Sequence, residues 1–442
     1  MELSAGDTAW VLTAAALVLL MTPGVAFFYG GMVRSKSVLN MMMMSLLAIA
    51  VVSVLWVAFG YSLAFGDGGN GFVGDFSAAG LSDLVGKLAD NGGTYPIPAL
   101  AFAMFQLMFA VITVALISGA VADRMKFLAW VIFAAAWVTI VYFPVAHWVF
   151  DFGGSELGGD GAGWLANLGV LDFAGGTAVH INAGAAGLAL VVVMGKRIGF
   201  GKVPMRPHNV PFVILGASLL YFGWFGFNAG SALGANDLAA VAFTNTMVAT
   251  AAAILGWLVV EKIRDGHATS LGAASGAVAG LVAITPACAF VEPGGAIAIG
   301  VIAGIICAFA VTMKYRLGYD DSLDVVGVHL VGGIVGCLLI GFFATTSVNA
   351  LGKDGLFYGG DVSVLTTQAI GAGAVLAYSF IVTVILAFIL KFTVKLRVSS
   401  DDEVGGIDLA AHAESAYELG DSGGGGVFAG IGHAARNNSE VE

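Results

Sequence analysis

Eleven apolar stretches, each long enough to cross a bilayer as a helix, constrain this chain more than any other feature. They cover residues 10–31, 41–65, 99–122, 127–148, 172–194, 211–230, 239–260, 271–290, 294–313, 325–344 and 366–392. The fold class expected is an all-α polytopic membrane protein with eleven transmembrane helices. Composition agrees: 11% of residues are charged, whereas a soluble domain carries about 25%. The 64 glycines let membrane helices approach closely, so the bundle should be tight, with little room for a wide aqueous lumen. No basic residue precedes the first stretch, which reads as a retained helix rather than a cleaved signal.

Charge sets the expected orientation. With the N-terminus outside, sixteen of the 18 Lys and Arg residues fall inside, and only Lys87 and Lys353 fall outside. That bias favours N-out, C-in, in a plasma membrane. The outer loops 66–98 and 150–171 are rich in Gly and Asp; they read equally as weak cation attractors or as plain solvated loops. His180 lies on the fifth stretch, entered from outside, and His329 on the tenth, entered from inside. This suggests a five-plus-five inverted repeat with the last stretch added, and such repeats place a transport site near the midplane. Residues 1–397 form the transmembrane domain and 398–442 a cytoplasmic tail. The tail is acidic and polar over 399–421 and Gly-rich over 420–432, too poor in apolar surface at its end to offset ordering.

An ionisable group inside a span is costly and therefore a functional candidate. His180 and His329 each sit among small apolar residues, after an acidic residue at the mouth of the span (Asp172 and Asp324). Burial disfavours the charged form, so both rings are expected to be neutral, each with one donor and one acceptor nitrogen. One such histidine alone reads more readily as packing, bonded to helix carbonyls; two at repeat-related positions favour a proton-sharing pair along a narrow pore. No Lys, Arg, Asp or Glu stands mid-span. A cost of about 20 kcal/mol for a buried bare ion and the lack of a carbonyl-filter motif point to a small neutral solute, or a cation that sheds its proton. The aromatic pair Phe105 and Phe109 shares a helix face. With Trp224-Phe-Gly-Phe227-Asn-Ala-Gly-Ser231 it suggests an entrance where ring faces and a hydroxyl meet a cation. Each of these also has a plain reading, as lipid or core contact and as a helix-end serine.

Cys288, Cys307 and Cys337 show no metal or disulfide spacing and read as packing residues. The net charge of −11 gives no footing for nucleic acid. There is no nucleophile–base pair, and the glycines of 195–201 follow a membrane helix rather than a strand. Neither an enzyme nor a cofactor is expected.

At these residues the chain resembles the ammonium transporter family (Amt/Mep, with its Rh relatives), and the bacterial Amt branch in particular. The resemblance runs from about residue 10 to 420. It is carried by Asp172-Phe-Ala-Gly-Gly-Thr-Ala-Val-His180-Ile-Asn182, Trp224-Phe-Gly-Phe-Asn-Ala-Gly-Ser231, Gly195-Lys-Arg-Ile-Gly-Phe-Gly201 and Asp324-Val-Val-Gly-Val-His329, with Thr285-Pro-Ala-Cys288 and Thr22-Pro-Gly24. It implies a homotrimer with one pore per subunit, taking ammonium and methylammonium at an outer vestibule, deprotonating them and passing ammonia, with proton movement making transport electrogenic in many members. It implies a gate at Phe109 and Phe227, a pore pair at His180 and His329, vestibule positions at Phe105 and Ser231, and a shaping carboxylate at Asp172. The family's vestibule tryptophan is replaced here by Phe150, in His147-Trp148-Val-Phe150, leaving Trp148 as a partial substitute. The segment Gly406-Ile-Asp-Leu-Ala-Ala-His412-Ala-Glu-Ser-Ala-Tyr417 resembles the family's tail, which implies a PII-type signalling partner. A second reading, from another class, is a sensor that reports ammonium through that tail.

Overall fold

A computed structural model describes residues 2–66, 68–153 and 161–417. Among these, ten helices are long and apolar enough to cross a membrane: α1 (Ala5–Met32), α2 (Val38–Phe65), α3 (Ala99–Val121), α4 (Phe127–Phe150), α5 (Gly176–Met194), α6 (Val210–Gly230), α7 (Asp237–Asp265), α9 (Pro293–Leu317), α10 (Val326–Phe343) and α11 (Ser363–Thr393). Between α7 and α9 lies α8 (Ser270–Ile284), with 15 residues. At 1.5 Å per residue it is about 22 Å long, short of a hydrocarbon core of roughly 30 Å. Ten helices rather than eleven therefore reach full length. The stretch expected to run to residue 290 stops at Pro286, which has no N–H to continue the helical ladder; turns carry the chain on from Thr285.

The fold also departs from all-α in one place. Within the loop 66–98, β1 (Leu88–Asp90) pairs antiparallel with β2 (Thr94–Pro98). Residues 154–160, part of the loop 150–171, and residues 418–442, with the Gly-rich stretch 420–432, lie outside the described residues.

Helix ends carry local signals. Ser4, Asn209 and Thr269 accept bonds from Asp7, Phe212 and Gly272 N–H and so cap α1, α6 and α8. Large side chains such as Val54, Phe222, Leu255, Ile263 and Phe392 are exposed along the helices, which makes the lateral surface apolar, as a bilayer requires. The three cysteines are fully buried and unpaired.

Two crossings place the site. α1 lies along α6, and α5 meets α10 near the middle of the bundle. Both need glycine: a Cβ on Gly216 would sit 2.2 Å from Phe28 N, and one on Gly184 would sit 2.5 Å from Leu330 N. No side chain fits there, so backbone packs on backbone.

Beyond α11 the chain folds back on the end of the bundle that carries the basic loops. Glu403 accepts from Ile198 N–H and pairs with Arg397 at 2.7 Å. Asp408 accepts from Leu39 and Asn40 N–H at the start of α2, and Tyr417 meets His208 at 2.8 Å.

Candidate functional site

Both candidate histidines lie in π-helical turns. Gly176–Ile181 opens α5 and holds His180; Val326–Leu330 opens α10 and holds His329. Such turns widen the helix locally and occur mostly at functional positions. Each follows a buried carboxylate eight residues before its histidine. Asp172 accepts four N–H groups that the start of α5 leaves without partners: Gly175 at 2.8 Å, Gly176 at 2.7 Å, Thr177 at 2.8 Å and Ala178 at 3.1 Å. Gly175, at φ +108°, permits the turn that aims these groups at one side chain.

On α10 the matching residue is Asp321, not Asp324. Asp321 Oδ2 accepts Val326 N–H at 2.7 Å, while its buried Oδ1 has no partner. Asp324 stands too close to the histidine to cap the turn. Its carbonyl already accepts the first helical bond, from Val328, and its side chain pairs with Lys314 at 2.6 Å.

The crossing of α5 and α10 brings the two rings together. His180 and His329 stack with centroids 5.3 Å apart, their Nδ1 atoms at 3.3 Å. Two neutral rings satisfy this contact if one donates and the other accepts. One Nε2 is then an acceptor and the other a donor, and passing the shared proton exchanges the roles. His180 Nε2 is buried without a partner. Trp224 backs the His180 ring at 5.3 Å and is fixed by its own N–H to Thr285 Oγ1 at 2.8 Å.

Toward the end opposite the tail, aromatic rings continue the line. Phe227 lies 6.2 Å from His180 and stacks on Phe109 at 4.2 Å, with planes 13° apart. Phe109 in turn meets Phe105 at 5.0 Å and Phe150 at 6.1 Å. A 4.2 Å stack leaves no space between the faces. Ser231, one turn beyond Phe227, donates to the Phe227 carbonyl at 2.9 Å and keeps its oxygen lone pairs available. Gly230 beside it abuts the Phe105 ring. Trp148 is turned away from this cluster. Two residues apart on a helix means nearly opposite faces, and Trp148 instead packs on Trp164 and Tyr378, its N–H donated to Phe72 O at 2.7 Å.

Toward the tail, a cavity of about 450 Å³ is lined by Phe200, Lys202, Lys314 and Asp324, among others. It shares Met32, Leu323 and Asp324 with a pocket of about 10 Å³ that reaches His329, room for on the order of one water-sized molecule. Around this mouth lies an ion cluster, whose arginines show in the sequence only as positive charge in the loops. Arg197 pairs with Asp320 at 2.8 Å and Asp123 at 3.2 Å. Arg124, fully buried, bonds Ser322 Oγ and the Asp320 carbonyl. The adjacent acids Asp320 and Asp321, in an otherwise basic set of loops, were the available sign.

Known proteins resemble this chain over most of its length. The model of the Ammonium Transporter Family matches residues 9–417. A Mycobacterium tuberculosis protein named "Ammonium transporter" is 59% identical over 433 residues, covering 94% of this chain and 90% of the relative. The crystal structure of Saccharomyces cerevisiae Mep2 superposes with a TM-score of 0.85 at 36% identity, covering 96% of this chain and 94% of that one. A structure described as "Sensor Amt Protein" gives 0.83 at 30% identity, covering 92% and 98%.

Proposed function

The chain belongs to the ammonium transporter family, and on that premise we propose that it recruits ammonium beside Phe105, Phe150 and Ser231, removes its proton, and conducts ammonia along the line of rings, the proton following through His180 and His329. Methylammonium would share the path. One observation carries this reading: the two histidines share a hydrogen bond directly behind the stacked phenylalanines. Ring faces attract a cation, by about 2 kcal/mol when desolvated, and the Ser231 oxygen can accept from it. Beyond the stack a bare ion faces a desolvation cost on the order of 20 kcal/mol, which neutral ammonia escapes. Asp172, tied up by four backbone donors, would act on the mouth by shaping α5 and through space.

The wider reading is an eleven-crossing homotrimer of the plasma membrane, N-out and C-in. An inverted five-plus-five repeat is supported by the paired π turns and by the eight-residue Asp-to-His spacing on α5 and α10. The docked tail, which ties Asp408 and Tyr417 to the membrane domain, favours a second reading in which the protein also reports ammonium to a PII-type partner.

Ammonium pulses on proteoliposomes coupled to a supported membrane test the main reading. A saturable inward current, lost or altered in His180→Ala/His329→Ala protein that still assembles, is expected. Currents and uptake unchanged in that variant would remove the histidine mechanism.

A further inference from the structure

We propose that His147 is held as an imidazolium, and that its charge positions the outer mouth of the pathway, so that substrate affinity falls when external alkali removes the proton. The proposal rests on the transport reading above.

His147 is fully buried near the end of α4. Its Nδ1 lies 3.1 Å from the Ala64 carbonyl and 3.0 Å from Asp151 Oδ2. Its Nε2 lies 2.9 Å from the Asn70 carbonyl. Carbonyl oxygens have no proton to give, so a neutral ring, with one N–H and one lone pair, sets a lone pair against an oxygen in either tautomer. Only the doubly protonated ring donates at both ends. Burial opposes the charge, and two features of the surroundings offset it. Ala64 stands in the last turn of α2 and His147 in the last turn of α4, so the negative ends of two helix dipoles meet at the ring. Asp151, one turn on, supplies the counter-charge and holds Gly153 N–H at 2.9 Å. Among the described residues, Asp151 is the charged side chain in reach of the ring. The elements packed against this part of α4 contribute Tyr61 and His180 as titratable groups, α4 itself contributes Tyr142, and Asp75 in the adjoining loop is occupied by Ser77.

The ring therefore fastens the loop after α2 to the end of α4. That end carries Phe150, whose ring meets Phe109 and whose carbonyl accepts from Asn91 at 2.9 Å. Loss of the proton would leave the Asp151 carboxylate buried without its counter-ion and turn one ring nitrogen against a carbonyl. The segment 148–152 would loosen, and Phe150 with it. His147 touches no solute on this account; it is a positioning residue acting through Phe150.

Two measurements test this. The first is ¹⁵N magnetic resonance of histidine-labelled wild-type protein in lipid. One imidazolium should persist at mildly alkaline pH, where exposed rings are neutral; a spectrum of neutral rings only would overturn the proposal. The second is radiolabelled methylammonium uptake into proteoliposomes as external pH rises from neutral. KM should rise several-fold in the wild type with maximal rate nearly unchanged. Asp151→Asn, which removes the anion that retains the proton, should move that rise toward neutral pH. A rise at the same pH in Asp151→Asn overturns the proposal. A persistent imidazolium with no uptake at any pH would count against the transport reading instead.

Discussion

Asp172 shows how much one side chain can fix. Its two oxygens hold four backbone N–H groups at the start of α5, and leaving a buried donor unsatisfied costs about 1–3 kcal/mol. Asp172→Ala should lower unfolding stability by at least that much and weaken ammonium uptake, measured by thermal denaturation in detergent and by transport. Asp172→Asn, which keeps an acceptor oxygen, should lose less. At this scale the sequence was partly legible. Histidines and clustered phenylalanines are rare enough in Gly- and Ala-rich helices to be singled out. Their π-turn setting was not, because an i→i+5 turn uses the same residues as an α turn. Asp321 was missed for a related reason: three acids precede His329, and only the backbone decides which of them reaches the helix start.

At the scale of elements, the meeting of α5 and α10 sets the separation of the histidine rings. Gly184 has no room for a methyl group, and overpacking a buried contact costs about 1–3 kcal/mol. Gly184→Ala should therefore reduce stability and, by pushing α10 off α5, reduce conduction more than Ala substitution at exposed helix positions does. Uptake normalised to folded protein would check this; unaltered uptake would mean the ring spacing is set elsewhere. Helix positions are readable from length and hydropathy, but the early end of α8 is not, since Pro286 stands inside an unbroken apolar run. The hairpin β1–β2 escaped because Gly- and Asp-rich composition hides short strand pairs.

At the scale of the molecule, the tail-side ion cluster ties loops from several helices to each other and to the tail. Burial alone would raise the Asp320 carboxyl, but the hydrogen bond and charge of Arg197, with Arg124, hold it below the usual carboxylate range. A depressed folded-state value adds stability that is complete above the unfolded carboxylate value and lost as pH falls through the folded one. Acid rather than alkali should therefore loosen this end. Asp320→Asn, which leaves buried Arg197 with Asp123 alone and takes from Arg124 its neighbouring carboxylate, should cost about 3–5 kcal/mol at neutral pH and flatten the acid dependence, both readable in unfolding curves. Asp408→Ala should release the tail and increase its cleavage by added protease, leaving the membrane helices intact.

Arg124 and Arg197 have a consequence beyond stability. Orientation in a membrane depends on how many positive charges each loop carries, so Arg124→Lys would be synonymous to the insertion machinery. It would not be synonymous to the folded chain, where the guanidinium fork reaches Ser322 and the Asp320 carbonyl at once and a single ammonium has no matching geometry. The same few residues thus carry two messages written in different alphabets, one of charge and one of shape, and only the second distinguishes arginine from lysine.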